Sequence, residues 1–166
     1  MIARCQIHKR RNVTDKLPQK MRSTVDSKMQ AAYHADSALA AEAMLKALAN
    51  ELDKTHPSAG TSLREGMSET LTVLRLGVPP ALARTLRSTN AIESMISICR
   101  DHASNVKRWR DGNMALRWCA AGMIEASSQF RRVNGHMHLS ALRAALEAEV
   151  ARNVGPAMQN EEVNAA

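Results

Sequence analysis

The chain is predicted to be mainly α-helical, with sheet absent or nearly so, on three observations. Only Tyr33, Trp109, Trp118 and Phe130 are aromatic while 45% of the 166 residues are hydrophobic, so the core must be aliphatic and rich in Ala, Leu and Met, as packed helices are. Apolar residues recur at spacings of three and four, the period of one helix face. No segment alternates apolar and polar residues well enough to be a half-buried strand, and there is no internal repeat.

The elements follow in order. A short basic amphipathic helix is expected from Arg4 to Lys16 with Ile7 and Val13 inward. Pro18 suits the first turn of the next, Pro18 to His34, where a missing N–H costs nothing. Asp36 or Ser37 can cap a third from Ala38 to Lys54, with Leu39, Ala43, Leu48 and Leu52 as its apolar stripe. After the break at His56-Pro57-Ser58, a fourth is expected from Ala59 to Leu76, carrying Leu63, Met67, Leu71 and Leu74. Gly77-Val78-Pro79-Pro80 stops it. Next come a short turn from Ala81 to Leu86, a helix around Glu93 reaching His102, a basic loop, and a long helix from Gly112 to Arg132. That long helix carries Met114, Trp118, Gly122 and Ala126, and Asn134-Gly135 ends it. A last helix runs from Ser140 to Asn153, before Gly155-Pro156. Three segments result: residues 1–77, residues 78–154, and a polar tail over 155–166 expected to be disordered.

The formal net charge is +7 and the sequence pI about 9.8. Such a balance favours polyanions through phosphate contacts and counterion release. Arg4, Lys9, Arg10, Arg11, Lys16, Lys20 and Arg22 crowd the first segment, and Lys107, Arg108 and Arg110 surround Trp109. Arginine forks grip phosphate and an indole stacks on an unpaired base; the competing reading is a solvated loop with Trp109 folded onto the core. Three cysteines, at positions 5, 99 and 119, fit no disulfide framework and point to a reducing compartment. No apolar run approaches a membrane span and the start does not resemble a signal peptide, so the cytoplasm is expected and a membrane is not a partner.

Asn90-Ala91-Ile92-Glu93 reads as a capping box, with the Asn90 side chain accepting from the first free N–H groups and Glu93 three residues on. Ile92, Met95, Ile96 and Cys99 would then share a buried face, while Glu93, Ser97 and Arg100 form another stripe. The same pattern holds a carboxylate near a helix N-terminus, beside Arg87 and away from the core, where it suits metal binding or work on a phosphate. Spacing alone leaves both readings open. Cys5-Gln6-Ile7-His8 offers two zinc ligands, but a structural site needs four, and Cys99, Cys119, His102, His136 and His138 lack matched pairing, so a packing role is favoured. His136-Met137-His138 is expected to be a solvated loop, and Cys99 and Cys119, on apolar stripes, to be inert thiols.

Thr89-Asn90-Ala91-Ile92-Glu93-Ser94 resembles the Thr-Asn-x-x-Glu-Ser block of the Mutator-type bacterial insertion-sequence transposases. Cys5-Gln6-Ile7-His8-Lys9-Arg10-Arg11-Asn12-Val13 is similar to their Cys-x-x-His segment. Ser62-Leu63-Arg64-Glu65-Gly66 through Leu71-Thr72-Val73-Leu74, and Phe130-Arg131-Arg132-Val133-Asn134-Gly135, match in the same order, so the resemblance covers nearly everything from Ile2 to Leu146.

The resemblance implies a ribonuclease-H-like catalytic core with an Asp, Asp, Glu triad, of which this chain holds the third acid, Glu93. Residues 1–77 would be a helical insertion with the Cys-x-x-His block, and 78–154 the C-terminal helices of the core. The triad holds two divalent ions, usually Mg2+: one activates the attacking water or 3′-hydroxyl, the other neutralises the leaving oxygen. Cys5, His8, Thr89 and Asn90 would lie near the active site. Arg87, Arg100, Lys107, Arg108, Arg110, Lys9 and Arg11 are the candidate DNA contacts, to the element's terminal inverted repeats and its target. The family's two aspartates lie upstream of the Cys-x-x-His segment, and Asp15 and Asp26 cannot replace them. The expectation is therefore a C-terminal fragment, from a truncated gene or a mis-set start, that is inactive alone. The alternative is a non-enzymatic basic helical module that binds DNA, the full-length transposase or a second copy of itself.

Overall fold

The computed structural model describes residues 1–154, and every regular element among them is a helix, in keeping with the aliphatic composition. The tail expected over 155–166 lies outside the described residues. Two compact units form: Met1–Ser88 together with the described residues from Asn134 onward, and Thr89–Val133. The break expected at Gly77 falls inside the first unit, where Val73 and Val78, on either side of it, share a small core with Leu82 and Ala83.

In the first unit α1 (Gln6–Thr14), α2 (Gln19–Tyr33), α3 (Ala38–Asp53) and α4 (Pro57–Arg64) surround the main core. Pro18 precedes α2, Ser37 caps α3 by accepting from the Ala40 N–H at 3.1 Å, and Pro57 opens α4. Val13, Leu17, Val25, Met29, Leu45, Leu48, Leu52 and Leu63 fill the space between them. Burial of each such side chain contributes about 1.5–3 kcal/mol. Leu39 departs from the stripe expected for α3, being 79% exposed. The buried face of α3 is set by Ala41, Leu45, Leu48, Ala49 and Leu52, and both Leu39 and Ala43 of the expected stripe lie outside it.

The inward face of α1 corrects the expectation most. Val13 is buried, but Ile7 is only half-buried, and the remaining inward positions are Gln6 and Lys9. Gln6 Nε2 donates to the Thr70 carbonyl at 2.8 Å, and Lys9 Nζ donates to the carbonyls of Ser62 and Glu65. Those carbonyls belong to the end of α4, where intrahelical donors run out and a cation is favoured. Polar pairing, not apolar burial, therefore orients α1. Two guanidinium–carboxylate forks reinforce the packing: Arg10 on Asp26 joins α1 to α2, and Arg64 on Asp53 joins α4 to α3.

The single helix expected from Ala59 to Leu76 is broken. It becomes α4, α5 (Met67–Thr70) and α6 (Thr72–Arg75). Gly66 sits at φ +60°, a left-handed conformation that glycine adopts without Cβ strain, and ends α4 there. Leu63, Met67 and Leu71 still reach the core, because the break turns the backbone without losing the apolar face. The segment before α1 is stapled to this turn: Arg4 N–H donates to the Glu69 carbonyl at 3.1 Å, and the Thr72 hydroxyl donates to the Ile2 carbonyl at 2.7 Å. α7 (Pro80–Leu86) completes the run.

The second unit is a helical hairpin of α8 (Asn90–Ala103) and α9 (Gly112–Ser128). Of the stripe expected on α9, Gly122 and Ala126 are buried and Met114 and Trp118 half-buried. A Cβ at Gly122 would lie 2.8 Å from Cys99 Cα, so glycine permits the close crossing and fixes the register. α8 does not bury the face expected of it. Met95 and Cys99 are half-buried with Ile98, but Ile92 is 51% and Ile96 39% exposed, because α9 meets only one side of α8 within the unit. α9 ends at Ser128, not Arg132; the Ser127 and Ser128 hydroxyls bond the carbonyls of Ile124 and Glu125, a side-chain competition typical of helix ends. The chain then rejoins the first unit through a 3-10 turn (His136–His138), where a loop was expected, and α10 (Leu139–Val154), whose Leu142 packs on the small core.

Two substitutions test this packing. Lys9→Met should destabilise the protein by about 1–3 kcal/mol, since the Ser62 carbonyl loses its partner, while Arg11→Met, on the exposed side, should change stability by under about 0.5 kcal/mol; urea unfolding measures both. Burial lowers the Lys9 pKa from its ordinary 10.5, so above the folded value the unfolded chain binds more protons and stability rises with pH towards 10.5. That rise should flatten in Lys9→Met. Gly122→Ala should loosen the hairpin, although alanine gains about 1 kcal/mol of helix propensity, because the new methyl meets backbone; amide exchange across α8 and α9 would show it as lost protection.

Candidate nucleic-acid interface

Thr89, not Asn90, is the N-cap of α8, and Asn90 is its first helical residue. The expected capping box is therefore absent: the Thr89 side chain caps no backbone N–H, and Glu93 falls at the fourth helical position. Glu93 N–H donates to the Thr89 carbonyl at 3.0 Å, and the Thr89 hydroxyl donates to the Glu93 carboxylate. This tether holds the carboxylate against the first turn, where the helix dipole favours negative charge. Glu93 nevertheless remains exposed, as does Arg100, seven residues on and on the same stripe.

The other expected site residues divide between the units. In the first, Cys5 is the N-cap of α1, His8 and Arg11 are exposed, and Gln6 N–H donates to the Arg87 carbonyl at 2.9 Å. That bond brings the Cys-x-x-His segment to the end of α7 and to Arg87. Lys9 must be withdrawn from the DNA contacts: it is 3% exposed and its ammonium is committed to two backbone carbonyls. Arg87 is half-buried, with its pKa pulled down by burial and its Nε buried without a hydrogen-bond partner. An unsatisfied donor of this kind costs stability until an acceptor reaches it.

In the second unit the loop between α8 and α9 carries the basic run. Lys107, Arg108 and Arg110 are exposed, and Trp109 is 47% exposed instead of folded onto a core. Together with the first turns of α9 this loop shapes an open depression of about 580 Å³. Its walls are Arg108, Arg110, Asp111, Asn113, Met114, Arg117 and Trp118. Asp111 caps α9, its Oδ1 accepting from the Met114 N–H at 2.7 Å. Trp109, the indole expected to stack on a base, does not line this depression; Trp118 does. Arg117, Asn113 and Trp118 were missed as site residues because Trp118 was read only as part of the apolar stripe of α9. The available signal was Asp111 before Gly112, an N-cap that sets the first turn of α9 beside the basic loop.

At 1.5 Å per residue, Glu93 and the end of α8 at Ala103 lie about 15 Å apart, so the basic loop sits at the opposite end of the helix from the carboxylate. Among the described residues no three His, Cys, Asp or Glu side chains are grouped to hold a metal ion, and no helix is long and apolar enough to cross a membrane.

Comparison with known proteins bears on the whole of this arrangement. A family model described as "Transposase, Mutator family" matches residues 1–133, which include Cys5, His8, Glu93 and the basic loop. The transposase for insertion sequence element IST2 of Acidithiobacillus ferrooxidans is 29% identical over 104 residues, covering 63% of this chain and 34% of that protein. The chain therefore spans about a third of the length of this curated relative. No solved structure matches. With a match that covers most of its length and takes in both motif blocks, the chain belongs to the Mutator family of transposases.

Proposed function

We propose that the chain forms part of a DNA transposase that cuts and joins DNA strands during movement of an insertion sequence, with Glu93 as one metal-binding carboxylate. The observation that carries this reading is an exposed carboxylate at the start of α8, held by Thr89, inside the region that matches the family. The chemistry would be phosphoryl transfer at two Mg2+ ions, which take hard oxygen ligands. One carboxylate does not make a two-ion site, and the described residues offer no group of three ligands. In this reading the chain taken by itself would not carry the cleavage step. Its part would be to supply Glu93, to keep that side chain at a helix N-terminus, and to bind DNA.

The cationic residues support the last role. Arg11, Arg100, Lys107, Arg108 and Arg110 are all exposed. Arg87 is half-buried and its Nε is shut off from solvent, so of the expected cationic contacts it and Lys9 are not in this exposed set. Phosphate contacts from the exposed set position the sugar–phosphate backbone and read little sequence. A second reading, a non-enzymatic module that binds DNA or the longer transposase, is favoured by the basic depression, which lies away from Glu93 and does not need it.

Incubated with a duplex carrying the element's terminal repeat and Mg2+ or Mn2+, the pure chain should bind the duplex without nicking it. In the presence of that duplex, paramagnetic broadening of amide signals by Mn2+ should centre on the Thr89–Ser94 turn and disappear in Glu93→Gln. Broadening centred elsewhere would remove Glu93 from the metal site. Nicks that vanish in Glu93→Gln would make the chain a complete catalyst and overturn its assignment as one part of a larger enzyme.

A further inference from the structure

From the depression at the start of α9 we infer a binding subsite for one unpaired nucleotide of a DNA strand, with Trp118 as the stacking platform and Arg108, Arg110 and Arg117 as the phosphate clamp. This rests on the DNA-binding reading above and assigns it a specific substrate form. The walls combine two chemistries that single-stranded nucleic acid presents together. Three guanidinium groups face one carboxylate, and that carboxylate is already occupied with the Met114 N–H. Guanidinium forks match phosphate oxygens. Beside them, the half-buried Trp118 presents its indole to the depression. Stacking on an indole needs an exposed base face, which a duplex keeps inside its own stack and an unpaired nucleotide does not. Asn113, with one amide donor pair and one acceptor, stands on the same wall to meet a base edge.

The hairpin geometry suits a strand leading to Glu93. Cys99 against Gly122 sets the register, which places Trp118 across from the end of α8. Arg100 lies between that end and Glu93, on the same face as the carboxylate. A strand held at Trp118 would have about 15 Å along α8 to cover to the Glu93 turn. Trp109, more exposed and outside the depression, has no part in the subsite.

The test uses the whole chain and two probes, a short oligothymidylate and a blunt duplex. In Trp109→Phe, Trp118 is the sole remaining indole, and its fluorescence should be quenched by the oligothymidylate but not by the duplex. Trp118→Phe, which keeps an aromatic ring of smaller face, should retain duplex binding while weakening oligothymidylate binding by up to about tenfold. Arg117→Gln, a surface change that leaves the hairpin packing intact, should lower the salt-dependence slope for the single strand by about 0.7. An unquenched Trp118 with both probes bound would overturn the subsite and leave the DNA-binding reading standing. The subsite is equally overturned if Trp118→Phe and Arg117→Gln both bind oligothymidylate as the parent does. If neither probe binds the parent chain, the subsite and the DNA-binding reading fall together.

Discussion

The contact on which the first unit depends is a charged one: the buried Lys9 ammonium on the carbonyl end of α4. An ammonium taken out of water costs several kcal/mol unless its protons are met, and here two main-chain carbonyls meet them. The consequence reaches along the whole of α1. With Gln6, Lys9 and Val13 turned inward, the helical period sends His8 and Arg11 outward. Separate bonds from Arg4 and to the Ile2 carbonyl tie the stretch Ile2–Cys5 to the turn at Gly66, where Arg4 lies over the glycine and hydrogen-bonds Glu65. The Cys-x-x-His segment is therefore displayed from a fixed helix, not from a loose terminus. The Arg4 guanidinium also holds the Glu65 carboxyl below the usual carboxylate range, so this corner remains an ion pair at neutral pH.

The second unit has the opposite character. Gly122 and Ala126 are its buried residues, and neither supplies much apolar area. Ile92, Ile96, Leu116, Met123 and Ile124 are exposed on the same hairpin. Close approach at Gly122 gives the two helices dispersion contact and a defined register, yet a pair of helices alone cannot cover both its faces. A hairpin of this composition orders its polar side chains locally: Thr89 pairs with Glu93, and Asp111 caps the start of α9. Both interactions act within a single turn and do not require a core.

Where the sequence was legible, it was so through local rules. The Ser37 cap of α3 and the prolines at the starts of α2, α4 and α7 each place an element within a residue or two. The expected helix from Ala59 to Leu76 shows where such rules end. Leu63, Met67, Leu71 and Leu74 keep helical spacing across a left-handed glycine, so periodicity could not reveal the break; only the φ of Gly66 does. The Thr89–Ser94 block was legible as a family motif because its residues are contiguous in the sequence. The depression was not, because Arg108 and Trp118 are brought together by the loop and the first turns of α9.

Taken alone, the amino-acid sequence determined the helical class, the order of the elements and the kinship with Mutator transposases, since each rests on residue identity and on neighbours a turn or a motif away. Tertiary structure decided which basic residues are available. Periodicity states which side chains share a face but not whether that face meets solvent or a helix end rich in carbonyls. Lys9 and Arg11 differ by two positions and had the same reading. One is sealed under α4 and the other stands in water, because backbone carbonyls left unpaired at the end of a helix recruit whichever cation faces them.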